Sequence, residues 1–456
     1  MNLHNLQETD VRIQLLNRLK ERIIAAKSNV AEALMADLGK PSEEAEVTEI
    51  IPVISELRHI VKNLQSWVLP KKVNKSLLHL TADSYILYKP KGNVLILSPW
   101  NYPFNLVISP LAYAISAGNR VTIKPSEFTK NTNRVLKQIV SACLPSEICS
   151  FVEGDAAVAA ELTSQPWDHI FFTGSPAVGK KVMMAAAQNL VPVTLELGGK
   201  SPCIVTENAD LEKAARRVAW GKFTNCGQTC IAPDYLLVHK NIYDTFLGLL
   251  KSELQTLYPQ ACLGRQDDSG YGRIIHQSHF LRLKELLDEA TDKGAKHLLP
   301  YFFDADDKFM SPVVLELNQK HDSLRLMEEE IFGPLLPVFS WQNDDDITPF
   351  LKRHSKPLAA YIFSRSSKEA RFWRNRINTG GFVINDVLSH FAHNNLPFGG
   401  NGSSGHGRSH GFFGFREFSI EMAVLESGPG PSGAELVGPP YTDLKRKIIN
   451  TALKLV

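Results

Sequence analysis

The chain has 456 residues, 44% hydrophobic and 21% charged, a length that buries a large core and holds two or three domains. Its net charge is +2 with no sustained basic block, which removes nucleic acid from the expected partners. No run of about 18 apolar residues exists, so no membrane span is encoded, and the polar N-terminus MNLHNLQETD lacks the apolar stretch of a signal peptide.

In chain order, Val11, Leu15, Leu19 and Ile23, then Val30, Leu34 and Leu38, recur at three or four and predict helix over 8–39, ended by Gly39 and Pro41. A second helix is expected over 43–67. Alternation and β-branched residues over 77–90 suggest an extended arm or hairpin. The texture then changes. Short apolar runs at 93–97, 121–124, 169–172, 192–195 and 203–205 read as strands, with helices at 106–117, 129–142, 155–163 and 177–188. Such alternation predicts a parallel sheet covered on both faces. A second series follows, with strands at 235–238, 313–316, 360–363 and 382–385 and helices at 209–226, 242–257, 279–290 and 367–378. Two α/β domains are expected, with a boundary near 198. Residues 399–414 are rich in Gly, Ser and His, and 428–440 in Gly and Pro. The last stretch, Lys445–Val456, is basic and amphipathic. A docked terminal helix is the favoured reading there, and weak peripheral contact with a membrane surface the other.

Six cysteines, Cys143, Cys149, Cys203, Cys226, Cys230 and Cys262, are few and scattered, which fits reduced thiols in a cytoplasmic setting. Cys226 and Cys230 are four apart but lack a second Cys/His pair at metal spacing, so no metal is expected. Cys230 closes the polar turn Gly227-Gln228-Thr229-Cys230. Backbone N–H groups at such a turn favour the thiolate, the nucleophilic form of sulfur. A lone cysteine is more often a packed core side chain. Its company along the chain turns the reading toward chemistry.

Ser98 to Pro103 follows the strand 93–97, and ligands of open α/β sheets gather beyond strand carboxyl ends. Asn101 there offers an amide N–H to a developing oxyanion, or simply forms a turn beside proline. Lys124 and Glu127 of Lys124-Pro125-Ser126-Glu127 suit ribose hydroxyls, while Ser126 suits a helix cap. Phe172 to Lys180, with Gly174, Ser175, Pro176, Ala177, Val178 and Gly179, follows a strand and opens a helix, where N–H groups meet phosphate. It lacks both GxGxxG and the full P-loop, since Lys181 stands where Ser or Thr belongs. A GxGxxG match at Gly400, Gly402 and Gly405 follows no clear strand and opens no helix, so it reads as a structural loop lining a site. Glu196, between Leu195 and Leu197 ahead of Gly198-Gly199, is a partly desolvated carboxylate suited to general base work, or one satisfied by Lys200 or turn amides. Glu329-Glu330-Ile331-Phe332-Gly333-Pro334 offers a carboxylate and a ring to a sugar and a heterocycle, or is a solvated helix end.

The stretches SPWNYPFNL (98–106), KPSE (124–127), FTGSPAVGK (172–180), LELGGKSP (195–202), NCGQTC (225–230), EEIFGP (329–334) and PFGGNGSSGHG (397–407), in this order and spacing, resemble the aldehyde dehydrogenase superfamily from about residue 10 to about 425. ARRVAWGKFTNCGQTCIAPDYLLV (215–238) and NDVLSHF (385–391) resemble its class 3 branch of medium- and long-chain and aromatic aldehyde dehydrogenases. The resemblance implies an α/β fold of two Rossmann-like parallel-sheet domains and a small β oligomerisation arm. The division it implies is helices packing on the cofactor domain (1–76), the arm (77–90), an NAD(P)-binding domain (91–198), a catalytic domain (199–398), and a site-lining loop, oligomerisation strand and tail (399–456). It implies Cys230 as nucleophile, Asn101 with the Cys230 N–H as oxyanion hole, and Glu196 as the base that activates water. Lys124 and Glu127 would hold the adenosine ribose, residues 174–179 the pyrophosphate, and Glu330 with Phe332 the nicotinamide ribose and ring. Glu127 favours NAD, though NADP use is common in this branch. Pro176 departs from the small polar residue usual there and predicts fewer contacts to the pyrophosphate. Trp100, Tyr102 and Phe391 are expected to line the aldehyde pocket, or to be core. A homodimer is expected by analogy, with the arm as an intersubunit strand pair. The rivals are an idle relative kept for binding, which the Cys230, Glu196 and Asn101 set opposes, and a CoA-acylating enzyme, which Glu196 opposes.

Overall fold

A computed structural model describes residues 5–75, 79, 82–265, 270–321, 323–354, 356–429 and 433–455. Residues 77, 78, 80 and 81 of the expected arm, and 1–4, 430–432 and 456 of the expected terminal regions, lie outside the described residues. The fold is mixed α/β, built on two large and mostly parallel sheets.

The first sheet runs Gly405–His406, Val193–Leu197, His169–Gly174, Asn93–Leu97, Arg120–Lys124 and Cys149–Phe151, antiparallel only at the first pair. Its strands are apolar on both faces because both are covered. One face packs on Leu162, Val182 and Ala186. The other shares a core with Val11, Leu15, Leu19, Leu34, Leu57 and Ile60 of the N-terminal helices. The second sheet runs Lys296–His297, Val313–Leu317, Leu335–Trp341, Tyr235–His239, Pro202–Val205, Ala359–Phe363 and Gly381–Ile384, parallel but for its first pair, with its own core. The sheets are joined by Gly198–Ser201.

Several boundaries differ from expectation. The first helix is two, Thr9–Ala25 and Lys27–Leu38, because Ala26 leaves helical geometry at φ −101°, ψ 12°. The helical stretch at 42–67 contains a π-helical turn at Glu46–Ile50. Leu335–Trp341, near the middle of the second sheet, was hidden by its Gly-Pro approach and by Pro337 within it. Pro337 lies opposite Leu315 and is tolerated there. Ala82–Pro90 pairs inside the chain with Lys71–Lys72 and along its full length with Ser419–Ser427, so both its neighbours are intramolecular rather than from a second subunit. The tail forms a helix, Asp443–Leu455, but none of its described side chains is buried, against the docked helix favoured from sequence. No helix among the described residues is long and apolar enough to cross a membrane.

Candidate active site

The carboxyl edge of the first sheet gathers four of the singled-out segments. Asn101 follows Leu97, Pro125 follows Lys124, Ser175 follows Gly174, and Glu196 is the penultimate residue of its strand. Parallel pairing in register (Leu97 beside Lys124 and Phe172, Thr173 beside Glu196) brings these ends side by side.

Cys230 meets them from the second sheet. Of the six cysteines, all free, five are buried and Cys230 is half-buried. It follows the helix Leu211–Phe223 and a short turn at Thr224–Gly227. In that turn Asn225 (φ 54°), Cys226 (φ 53°) and Gly227 (φ 72°) are left-handed in succession. Such geometry costs of order 1–3 kcal/mol at a non-glycine residue and persists only where surroundings fix it. Here they do. The Asn225 N–H donates to Glu44 (2.9 Å), and its Nδ2 donates to the carbonyls of Asn101 (2.8 Å) and Gln228 (3.1 Å). Gln228 Nε2 donates to the carbonyls of Asn225 (3.1 Å) and Arg273 (2.9 Å), and its Oε1 accepts from the Ile275 N–H (3.0 Å). Gly227 is irreplaceable on two counts, since a Cβ there would also lie 2.3 Å from the Gly333 carbonyl.

Asn101 is buried, and its Nδ2 donates to the Gln228 carbonyl at 3.0 Å. Its amide therefore faces the turn that carries Cys230. Beside it, the Tyr102 hydroxyl lies 2.6 Å from Thr229 Oγ1. Beneath this strip Lys40 and Glu49 form an ion pair at 2.6 Å with both side chains fully buried. Glu49 accepts the N–H groups of Phe104 and Asn105, and Lys40 lies 4.3 Å from the Tyr102 ring centre.

Burial, with help from Glu417, raises the Glu196 carboxyl to about 7 despite a 2.5 Å hydrogen bond from Ser409. Lys200, the partner weighed for it, instead pairs with Asp234 and donates to the carbonyls of Leu326 and Glu329. Asp234 also accepts the Ile331 N–H, so this pair fixes the loop carrying Glu330 and Phe332. Glu330 lies over Gly198, where a Cβ would meet its carboxylate at 2.2 Å, and accepts the Gly199 N–H. Burial and Asp234 lift it to about 8. Burial, Glu330 and Glu196 push the Cys230 thiol well up, outweighing the N–H groups of Cys230 and Ile231 aimed at the sulfur. That shift runs against the thiolate that the turn's N–H groups favour.

The segments expected to meet a dinucleotide follow from the other strand ends. Lys124 is buried and pairs with Glu127 at 3.0 Å. Glu127, about one-third exposed at 34%, borders a cavity of about 800 Å³ with Ser126, Lys130 and Gly154. A carboxylate held this way, at the edge of a roomy cleft, fits the hydroxyls of a nucleotide ribose. Ser126 caps no helix, which starts at Lys130; its hydroxyl accepts the Phe128 N–H. Ser175 is the N-cap of Pro176–Ala187 and accepts the Val178 N–H, and Pro176 occupies the first turn, where a missing N–H breaks no helical bond. Gly405 pairs across from Glu196, where a Cβ would strike the Leu195 carbonyl at 1.9 Å, so the glycine run at 400–405 borders the strand of Glu196. Trp100 packs edge-on against Phe332 with centres 5.4 Å apart, and Phe391 packs on His410 and Phe398.

Sequence reasoning missed Lys40, Glu44, Glu49, Asp234, Ser409 and Lys222. Lys222 had a signal, for it stands on the same stripe as the buried Val218 and Ala219. It is buried, and desolvation lowers its ammonium to about 8 against the pull of Asp234 and Glu330.

The family model of aldehyde dehydrogenases matches residues 5–424. A 4,4′-diaponeurosporen-aldehyde dehydrogenase of Staphylococcus aureus is 40% identical over 96% of this chain and 94% of its own. Aldehyde dehydrogenase family 3 member A2 of Macaca fascicularis is 40% identical over 95% of this chain and 88% of its own. The solved substrate-bound state of Staphylococcus aureus AldH superposes with a TM-score of 0.92 at 39% identity, covering 98% of this chain and 95% of that one. The chain belongs to the aldehyde dehydrogenase family, on its class 3 branch, and is an oxidoreductase acting on aldehydes.

Proposed function

We propose that the protein oxidises an aldehyde to its carboxylic acid through a thiohemiacetal and then a thioester on Cys230, with NAD or NADP as cofactor. The observation that carries this reading is the convergence on the half-buried Cys230 thiol of two carboxyls, Glu196 and Glu330, and of the Asn101 amide that faces its turn. Sulfur adds to the carbonyl carbon as the thiolate, and the Asn101 amide with the Cys230 N–H receives the negative oxygen. A nicotinamide dinucleotide, when bound, supplies the hydride acceptor. Lys124 and Glu127 would hold its adenosine ribose, the segment from Gly174 through Gly179 its pyrophosphate, and Glu330 with Phe332 its nicotinamide end. Glu196 then takes a proton from water as the oxygen adds to the thioester, and the carbon–sulfur bond breaks with sulfur leaving as the thiolate.

A carboxyl titrating near 7 is matched to this task, and its presence favours water over CoA as acyl acceptor. Medium- or long-chain or aromatic aldehydes are the substrates we infer, in keeping with the class 3 membership. A homodimer follows by analogy, with Ser419–Ser427 as the edge of the three-stranded sheet. Rapid-quench kinetics decide the scheme. Glu196→Gln should give a burst of reduced dinucleotide and then little turnover, and Cys230→Ala should give neither. Equal steady rates for Glu196→Gln and parent would remove Glu196 from the base role, and aldehyde oxidation by Cys230→Ala would end the covalent scheme.

A further inference from the structure

A buried polar chain leads away from Glu196 into the N-terminal helices. Ser409 Oγ lies 2.5 Å from Glu196 Oε1 and 3.5 Å from His410 Nδ1. The same Nδ1 lies 3.5 Å from the Tyr113 hydroxyl. Tyr113 in turn donates to Glu56, whose Oε1 also accepts the Gly411 N–H at 2.8 Å. All five side chains are buried, Glu56 at 4% exposure. The two 3.5 Å contacts are long, as such contacts often are before a reaction draws them in.

We propose that Ser409, His410, Tyr113 and Glu56 form a proton path that returns Glu196 to its anionic form after each thioester hydrolysis. The proposal rests on Glu196 being the base that takes the proton from water. The protonated Glu196 gives its proton to Ser409 Oγ, and the proton of that hydroxyl passes to His410 Nδ1. His410 Nδ1 passes it to the Tyr113 oxygen, and the Tyr113 proton moves to the Glu56 carboxylate. Every atom ends neutral except the exchanged carboxyls, Glu196 ionised again and Glu56 protonated, and Glu56, 4% exposed, gives that proton up to solvent before the next cycle.

The balance of the two ends supports this. Burial lifts Glu56 to about 7, the same value as Glu196, so the transfer runs between matched carboxyls. Glu196 also faces Glu417, which favours its loss of charge, and Arg408, which opposes it. Tyr113 faces Glu56 and Glu196. Burial, with His390 and His59, holds His410 down to about 3, so its imidazole is neutral and accepts a proton only in passing.

An activated ester tests the path without any dinucleotide. Attack of Cys230 on p-nitrophenyl acetate releases nitrophenolate and leaves an acetyl thioester, which water then hydrolyses. Tyr113→Phe and Glu56→Gln should keep the nitrophenolate burst and the hydrolysis of the first acetyl-enzyme, while steady-state hydrolysis after it slows by ~10-fold or more, with acetyl-enzyme building up by intact mass, and is restored by concentrated imidazole buffer. Tyr113→Phe retains the ring and carries the test if Glu56→Gln fails to fold. Hydrolysis within about twofold of the parent in the folded variants, or a loss that imidazole does not lift, would overturn the path. The base assignment itself fails differently, through a Glu196→Gln enzyme that hydrolyses its acetyl thioester as fast as the parent.

Discussion

The turn that carries Cys230 and the cleft beside Glu127 are built on opposite plans. The turn holds three consecutive left-handed residues; Glu44 and Asn101 hold Asn225, Arg273 holds the adjoining Gln228, and Gly333 packs against Gly227. The cleft is bordered by two ion pairs, Lys124 with Glu127 and the exposed Lys137 with Glu153, around about 800 Å³ of open space. Where covalent bonds change, positions are fixed in advance and strain is accepted. Where a large molecule must arrive and leave, groups stay wet and ordering is deferred to binding.

The difference breaks first at its base. Lys40→Met strands the Glu49 carboxylate under the turn with no cation, and removing one partner of a buried pair costs about 3–5 kcal/mol. Urea unfolding should show that loss, and a change below about 1 kcal/mol would mean the turn does not depend on this pair. Asn101→Ala strikes one level higher. It removes the amide that faces the turn, so kcat should fall by ~10²–10³ with dinucleotide affinity unchanged. A rise in KM alone would exclude an oxyanion role.

Glu196→Gln probes the electrostatic side of the same centre. The folded carboxyl is raised from 4.5 to about 7, so it favours the folded state fully at acid pH and loses that contribution as pH climbs to about 7. The amide variant lacks this dependence. Relative to the parent, Glu196→Gln should gain about 3 kcal/mol of stability between acid and mildly alkaline pH. Melting curves across that range check it, and parallel pH profiles for the two proteins would show that the carboxyl is not desolvated.

These contrasts also explain what the sequence disclosed. The cleft is local: Lys124-Pro125-Ser126-Glu127 and Ser175–Gly179 each follow a strand, so a contiguous motif carried them. The turn is not. Its supports lie up to 181 residues away, and nothing in the order of residues ties Glu44 to Asn225. Yet a trace existed. Glu49 and Glu56 fall on the stripe of Ala45, Val53, Leu57, Ile60 and Leu64, where an amphipathic helix places only apolar side chains. A charge on such a stripe needs a buried partner, and Lys40 and Tyr113 are those partners. Ser409 left no trace, because one hydroxyl in a Gly/Ser-rich loop looks like any other. Leu335–Trp341 was lost to Pro337, whose missing N–H argues for an edge when its true position is interior.

The mildest perturbation separates the two plans most cleanly. Glu127→Ala touches only the cleft, at a side chain already about one-third in water and far from any strained backbone. Losing a charged acceptor for two hydroxyls should weaken NAD by ~10-fold, about 1.4 kcal/mol, and leave kcat unmoved. The same carboxylate repels a phosphate on the ribose, so NADP should weaken less, or improve, and the preference between the two cofactors should narrow. Titration of both dinucleotides by fluorescence measures this without turnover. A variant that binds NAD as the parent does would detach Glu127 from the ribose and leave the cleft without its proposed occupant. Should kcat fall as well, the cleft and the turn would be coupled, and the division between a fixed centre and a yielding one would no longer hold.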